Sequence, residues 1–254
     1  MNASRNPLTS RFAALALAAP LALTLAACGD STGEDGPPAG EPIAAIPAPD
    51  GTSWADTVTI TEEDGYKIGN PDAPLKLVEY ASHTCGACAN FSATGKQPLK
   101  DQYVASGVVS FEQRNLVRDP IDLSIAALVR CGQKENMQPL SDQAWVALND
   151  FFGNVQTNSA QYEASAELPV EERFIAISEA AGLIEFFSAR GLSADQARSC
   201  LADTEKMEAI SENSSSQAEE FSVAGTPTFF LNGARIEGIT WNEIEPALQR
   251  AGAR

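Results

Sequence analysis

Residues 75–91, Leu-Lys-Leu-Val-Glu-Tyr-Ala-Ser-His-Thr-Cys-Gly-Ala-Cys-Ala-Asn-Phe, restrict the fold more than any other stretch of this 254-residue chain. Leu75, Leu77, Val78 and Tyr80 form a short apolar run that reads as a buried strand, and Ala89 and Phe91 open a helical pattern beyond Cys85-Gly86-Ala87-Cys88. A Cys-x-x-Cys at a strand-to-helix junction puts its first sulfur at the helix N-terminus, where unpaired backbone N–H groups and the macrodipole favour a thiolate. The second sulfur lies one turn on, close enough to attack a mixed disulfide formed at the first. That is the geometry of dithiol–disulfide exchange. Two other uses of the pair stand beside it. Half a structural zinc site needs two more ligands, yet the chain has no second Cys-x-x-Cys and a single histidine, His83. An inert structural disulfide would close a loop too short to constrain the unfolded chain much.

The N-terminal stretch points to export. Arg5 and Arg11 precede an apolar run from Phe12 to Ala27 that ends in small residues, which reads as a secretory signal over residues 1–27. The run is short and alanine-rich for a spanning helix. Leu25-Ala26-Ala27-Cys28 resembles the lipobox of bacterial lipoproteins, which would make Cys28 a lipidation site and the mature N-terminus; an ordinary signal peptide with a chance cysteine is the alternative. Gly29 after the cysteine argues, in that resemblance, against inner-membrane retention, while Asp30 leaves the choice of membrane open. Removing residues 1–27 takes two arginines and moves the net charge from −17 to −19. So acidic a chain is a poor nucleic-acid binder. Residues 28–53 are rich in proline, glycine and acids, and are expected to be a disordered linker that holds a globular domain off a membrane.

The globular part is expected from Trp54. Val58–Ile60 alternates like an edge strand, Asp64-Gly65 turns the chain into Tyr66–Gly69, and Asn70–Pro74 is a loop into the central strand. The helix after Cys88 should bend near Pro98, and Val108–Glu112 is a further strand, with Asn115–Asp119 leaving it. From Pro120 to about Val223 apolar spacing predicts helices over Ile121–Arg130, Ser141–Phe152, Val170–Ala181, Ser193–Leu201 and Thr204–Phe221. Ser193 and Gln196 form a capping-box pattern, and Pro139, Pro169, Gly182 and Gly191 supply breaks. Thr228–Leu231, Asn232-Gly233 and Ala234–Ile236 read as a hairpin, followed by a last helix, Trp241–Arg250. No internal repeat and no cofactor-pocket motif is present. This order gives an α/β, thioredoxin-like fold: a core of residues 54–120 and 223–254 with a helical insertion domain of residues 121–222.

Gly69-Asn70-Pro71-Asp72-Ala73-Pro74, Glu79-Tyr80-Ala81-Ser82, Cys85-x-x-Cys88 and Val223-Ala224-Gly225-Thr226-Pro227-Thr228-Phe229 together resemble the DsbA-like thiol–disulfide oxidoreductases, of a DsbG-like single-chain layout, across residues 54–254. The resemblance implies a cis Pro227 beside the cysteines, so that Thr226 presents its backbone to an extended substrate bound at Cys85. Thr226, Pro227 and His83 are thus the expected substrate-binding residues. Glu79 stands in an otherwise apolar strand, where a carboxylate is costly without a role or a partner. Family resemblance makes it a partly buried acid that helps move the proton of the second cysteine; a strand-edge glutamate facing water is the other reading. The chain departs from the family in its dipeptide. Pro-His is usual between the cysteines, and Gly86-Ala87 supplies no charge. His83 would substitute if its ring reached Cys85, or would be a loop histidine facing solvent.

Cys131 and Cys200 remain after Cys28, Cys85 and Cys88 are accounted for, and export permits a bridge between them. A structural disulfide closing a loop of about 70 residues would contribute roughly 4 kcal/mol in the chain-entropy model; two buried free thiols are the alternative. The expected activity is therefore disulfide exchange at Cys85 and Cys88, assisted by Glu79, with cysteine-containing exported proteins as substrates. A membrane or periplasmic redox partner resets the pair, and no metal or organic cofactor is needed. Oxidase, reductase and isomerase directions stay open. The competing class is a non-catalytic client- or metal-binding lipoprotein. A copper-handling site would want Met or His ligands near the pair, whereas Met137 and Met207 fall in the insertion.

Overall fold

The computed structural model describes residues 40–254. The signal segment, Cys28 and linker positions 28–39 lie outside the described residues. The first strands are β1 (Val58–Ile60), β2 (Tyr66–Ile68) and β3 (Leu75–Ala81). After β3 come α1 (Gly86–Thr94), the short α2 (Lys96–Pro98) and a π turn over Leu99–Val104, so the helix is interrupted at Gly95 and changes to π geometry directly after Pro98. Strand β4 (Val109–Asn115) is longer than expected and buried along its whole length, reaching the residues predicted to leave it.

The insertion follows as α3 (Pro120–Val129), α4 (Met137–Val146), α5 (Leu148–Thr157), α6 (Ser159–Ala164), α7 (Val170–Ala180), α8 (Leu183–Ser188), α9 (Ala194–Ala202) and α10 (Thr204–Glu220). The hairpin β5 (Thr228–Leu231) and β6 (Ala234–Ile236) returns the chain to the sheet, and α11 (Trp241–Arg250) packs back onto it. Asn232 and Gly233 both have positive φ, 51° and 80°, as a tight two-residue turn demands.

The six strands lie in the order β1-β2-β4-β3-β5-β6. Only β3 and β4 run parallel, with Leu75 opposite Val109 and Glu79 opposite Gln113. One face of the sheet, with Leu75, Leu77, Val109, Phe111 and Phe229, is closed by Phe91 of α1, Leu99 and Tyr103 of the π turn, and Trp241, Ile244 and Leu248 of α11. The insertion has its own core around Ile125, Leu128, Phe151, Ile177, Leu183, Phe187 and Leu201. A disulfide joins Cys131, just past α3, to Cys200 on α9.

Three expectations need correction. The linker does not extend to residue 53. From Gly40 onward the chain is an arm laid on the domain: Gly40 N–H donates to Arg250 O, Ile43 N–H to Gly252 O and Ile46 N–H to Ser106 O. Ile43 packs against the sheet core, so two isoleucines among the prolines supply enough apolar surface to hold the segment. Second, Ser141–Phe152 is not one helix but parts of α4 and α5, broken at Ala147 (φ −90°, ψ 5°). Third, Pro139 does not break a helix. It sits in the first turn of α4, where its missing N–H costs nothing. The Ser193 capping box is present as drawn, with Gln196 N–H donating to Ser193 Oγ and Ser193 N–H to Gln196 Oε1.

Candidate active site

Strand β3 ends at Ala81, and Ser82–Thr84 carry the chain to Cys85, the N-cap of α1. Two aspartates from the start of α3 shape this loop. Asp122 accepts from Ser82 Oγ (2.6 Å) and from the backbone N–H of His83 (2.8 Å), and Asp119 accepts from Thr84 Oγ1 (2.6 Å). Asp119 also caps α3 through the N–H groups of Ile121 and Asp122. Trp145 of α4 donates its indole N–H to Ser82 O at 2.9 Å and packs against both cysteines.

Cys85 and Cys88 are free thiols, Cys85 5 % exposed and Cys88 fully buried. The Cys85 thiol is lowered to about 5. A hydrogen bond from Cys88 does most of this against the opposing effect of burial, with help from the N–H groups of Cys88 and Ala87. Cys88 is pushed the other way, first by burial, then by the hydrogen bond to Cys85 and the charge of Glu79. The pair is thus a ready nucleophile backed by a thiol that keeps its proton. Gly86 is exposed, with nothing within 4 Å of where a Cβ would stand.

The Thr226–Pro227 bond is cis, and Thr226 O accepts from the Cys85 thiol at 3.3 Å. Thr226 Oγ1 is buried without a hydrogen-bond partner. Glu79 is fully buried, and neither of its oxygens has a partner. Burial raises its carboxyl to about 7, against the nearby Lys96 charge, which lowers it. These residues of β3, α1 and the loop before β5 meet at one point.

His83 does not join them, and both readings of it are corrected here. It neither reaches Cys85 nor faces solvent or substrate. Its ring is fully buried, stacked on Trp145 with centroids 5.2 Å apart, and Nε2 lies 3.0 Å from Ser141 Oγ. Nδ1 is 3.5 Å from Asp122 Oδ1. Burial lowers its pKa, and Asp122 opposes that effect. Ser141, His83 and Asp122 thus stand in the order of a hydrolytic triad, but all three are fully buried and no substrate reaches the hydroxyl. The row is a strut between the cysteine loop and α4, extended by Tyr66, whose hydroxyl contacts Ser141 at 3.0 Å and accepts from Gln113 at 2.5 Å.

Sequence reasoning missed Lys96, a lysine only 7 % exposed, together with Asp119, Asp122, Ser141, Asp142 and Trp145. They approach the site from α2, α3 and α4. Trp145 alone gave a hint, as an aromatic in a predicted helix.

Comparison with known proteins agrees with the geometry. The sequence family described as Thioredoxin matches residues 61–250. A Rickettsia bellii protein provisionally named a protein-disulfide oxidoreductase is 25% identical over 190 residues, covering 75% of this chain and 65% of that protein. A Rickettsia typhi relative is covered to 60%, so the chain spans about three fifths of the length of such relatives. The crystal structure of a protein-disulfide isomerase from Novosphingobium aromaticivorans superposes with a TM-score of 0.67 at 28% identity, covering 72% of this chain and 94% of that one. Wolbachia pipientis alpha-DsbA1 shares the fold, with a TM-score of 0.61 at 18% identity over 79% of this chain and 96% of that one.

Proposed function

The chain belongs to the Thioredoxin family, and from that premise we propose that it is an exported thiol–disulfide oxidoreductase acting on cysteines of cell-envelope proteins through Cys85 and Cys88. The observation that carries this reading is the contrast within the dithiol: an acidic Cys85 at the head of α1 and a buried, proton-retaining Cys88 directly behind it, beside the cis Thr226–Pro227 bond. The names of the relatives support it.

The Cys85 thiolate attacks a substrate disulfide, one substrate sulfur leaves, and Cys88 then attacks the Cys85 sulfur of the mixed disulfide. In the oxidising direction a substrate thiolate attacks Cys85 of the enzyme disulfide and Cys88 departs. Glu79 exchanges the Cys88 proton in both directions. Backbone groups next to Pro227 hold the extended substrate, since proline leaves the neighbouring strand end unpaired. A periplasmic setting, a lipid anchor at Cys28, and a redox partner that resets the pair complete the reading. Among the described residues no helix is long and apolar enough to cross a membrane.

A reductase or isomerase direction is the second reading. The Novosphingobium neighbour is described as an isomerase, and Gly86-Ala87 brings no charge to the thiolate. The reduction potential of the full chain in glutathione buffers, with Cys131–Cys200 mapped separately by mass, decides between them. A value near about −120 mV marks a disulfide donor, and one near about −270 mV marks a pair held reduced. Absence of exchange at Cys85 would defeat both.

A further inference from the structure

Lys96 and Asp142 are close to the dithiol but take no part in the exchange steps above. The Lys96 ammonium donates to Gln113 Oε1 and to Asp142 Oδ1, each at 2.7 Å, and lies 4.4 Å from the Trp145 ring centre. Ser92 of α1 donates to the same Asp142 oxygen at 2.8 Å. Gln113 is the cross-strand neighbour of Glu79, so the cation stops one side chain short of that carboxylate. Glu79 meanwhile has no partner at either oxygen. A buried ammonium needs a counter-ion, and here it comes from the helical insertion.

A cleft of about 570 Å³ has Ser92, Lys96 and Asp142 in its wall, so water reaches the ion pair from outside, whereas Glu79 is not part of that wall. The charged and titratable groups facing Glu79 are Lys96 of α2, Asp142 of α4, Cys85 and Cys88 at the head of α1, and Tyr66 of β2.

We propose that Asp142 is a positioning residue for disulfide exchange: by anchoring Lys96 on the insertion side, it leaves Glu79 without a counter-ion and able both to take the Cys88 proton and to give it back. The inference rests on reading the pair as an exchanger. When Cys88 resolves a mixed disulfide, its proton passes to the Glu79 carboxylate and its sulfur bonds to Cys85. The bond from Cys85 to the substrate sulfur breaks, and its electron pair leaves on the substrate thiolate. In the opposite direction the Glu79 carboxyl returns the proton to the departing Cys88 thiolate. A Glu79 paired directly with Lys96 would be locked in its ionised form and could not make that second transfer.

The test is a ¹³C NMR titration of the Glu79 carboxyl in the reduced, full-length, glutamate-labelled chain, with the signal assigned by its loss in Glu79→Gln. The parent midpoint is expected near 7. In Asp142→Asn it should fall by about one pH unit or more, because the Lys96 charge then acts on Glu79 without its competitor. Asp142→Glu should restore the parent value, and Lys96→Met should raise it. The pH profile of mixed-disulfide resolution should move with the midpoint. Ser92→Ala, which loosens Asp142 without removing a charge, should shift the midpoint the same way by less, and serves if Asp142→Asn does not fold. An unmoved midpoint in a folded Asp142→Asn, or in Ser92→Ala if that variant stands in for it, overturns the proposal. Exchange by the parent chain is assayed separately: exchange with an unmoved midpoint defeats the role of Asp142 alone, and no exchange defeats the exchanger reading.

Discussion

The hydrogen bond from Cys88 does most to lower Cys85, burial does most to raise Cys88, and together they separate the two thiols. Glu79 behind them pays for its place with a stability cost whose sign is definite. Its carboxyl sits at about 7 in the folded chain against 4.5 for an ordinary glutamate. Below pH 4.5 both states hold the proton and nothing is lost. Between 4.5 and 7 the folded state keeps a proton that the unfolded chain has released, so stability falls as pH rises. Above 7 the full cost, on the order of 3 kcal/mol, is present. Urea unfolding of the oxidised chain should therefore show this pH-dependent loss, and Glu79→Gln should abolish it; an unchanged pH profile would mean Glu79 is not buried as an acid. Cys85, Cys88 and Glu79 stood out within residues 75–91, as a Cys-x-x-Cys after an apolar strand that carries one carboxylate, and Pro227 stood out only once its Gly-Thr-Pro-Thr was set beside that pair. His83 and Lys96 were not. Their partners Ser141 and Asp142 lie 58 and 46 positions away, and nothing local tells a buried histidine or lysine from a solvated one.

Among the elements, α4 does the most to join core and insertion, through Ser141 to His83, Asp142 to Lys96 and Trp145 to Ser82. Its boundary with α5 escaped periodicity for a plain reason. Leu140, Ala144, Leu148 and Phe151 keep three- and four-residue spacing straight through the break at Ala147, so one apolar stripe covers two helices. The arm over residues 40–53 was hidden by composition, since proline- and glycine-rich segments usually stay loose. Its docking depends on Gly107, at φ +75°, where an added Cβ would lie 2.4 Å from Ile46 O and 2.6 Å from Trp54 Nε1. Trp54 itself donates to that Ile46 carbonyl at 2.7 Å. Gly107→Ala should lower stability by roughly 1–3 kcal/mol, through left-handed strain and displacement of the arm. Limited proteolysis should then cut near Ile46 faster than in the parent. Equal stability and equal cleavage would show that the arm is not clamped there.

At the scale of the molecule, the two ends of β3 have different tasks. Its C-terminal end leads to Cys85, while the arm meets the chain at Ser106, beside the start of β4, and at the end of α11. With β3 and β4 parallel, the arm reaches the sheet at the end remote from the dithiol. The thioredoxin-like core and the helical character of the insertion followed from strand and helix periods that hold without knowledge of contacts. How the insertion presses on the active site did not, because that depends on packing between distant helices. The most direct test of this asymmetric dithiol is the thiolate absorbance near 240 nm of the full-length Cys28→Ala chain, with Cys85 and Cys88 reduced and Cys131–Cys200 still bridged, followed from acid to alkaline pH. One thiol should ionise near pH 5, and the second should remain protonated beyond the ordinary cysteine value of about 8.5. Two thiols ionising together near pH 8.5 would contradict it.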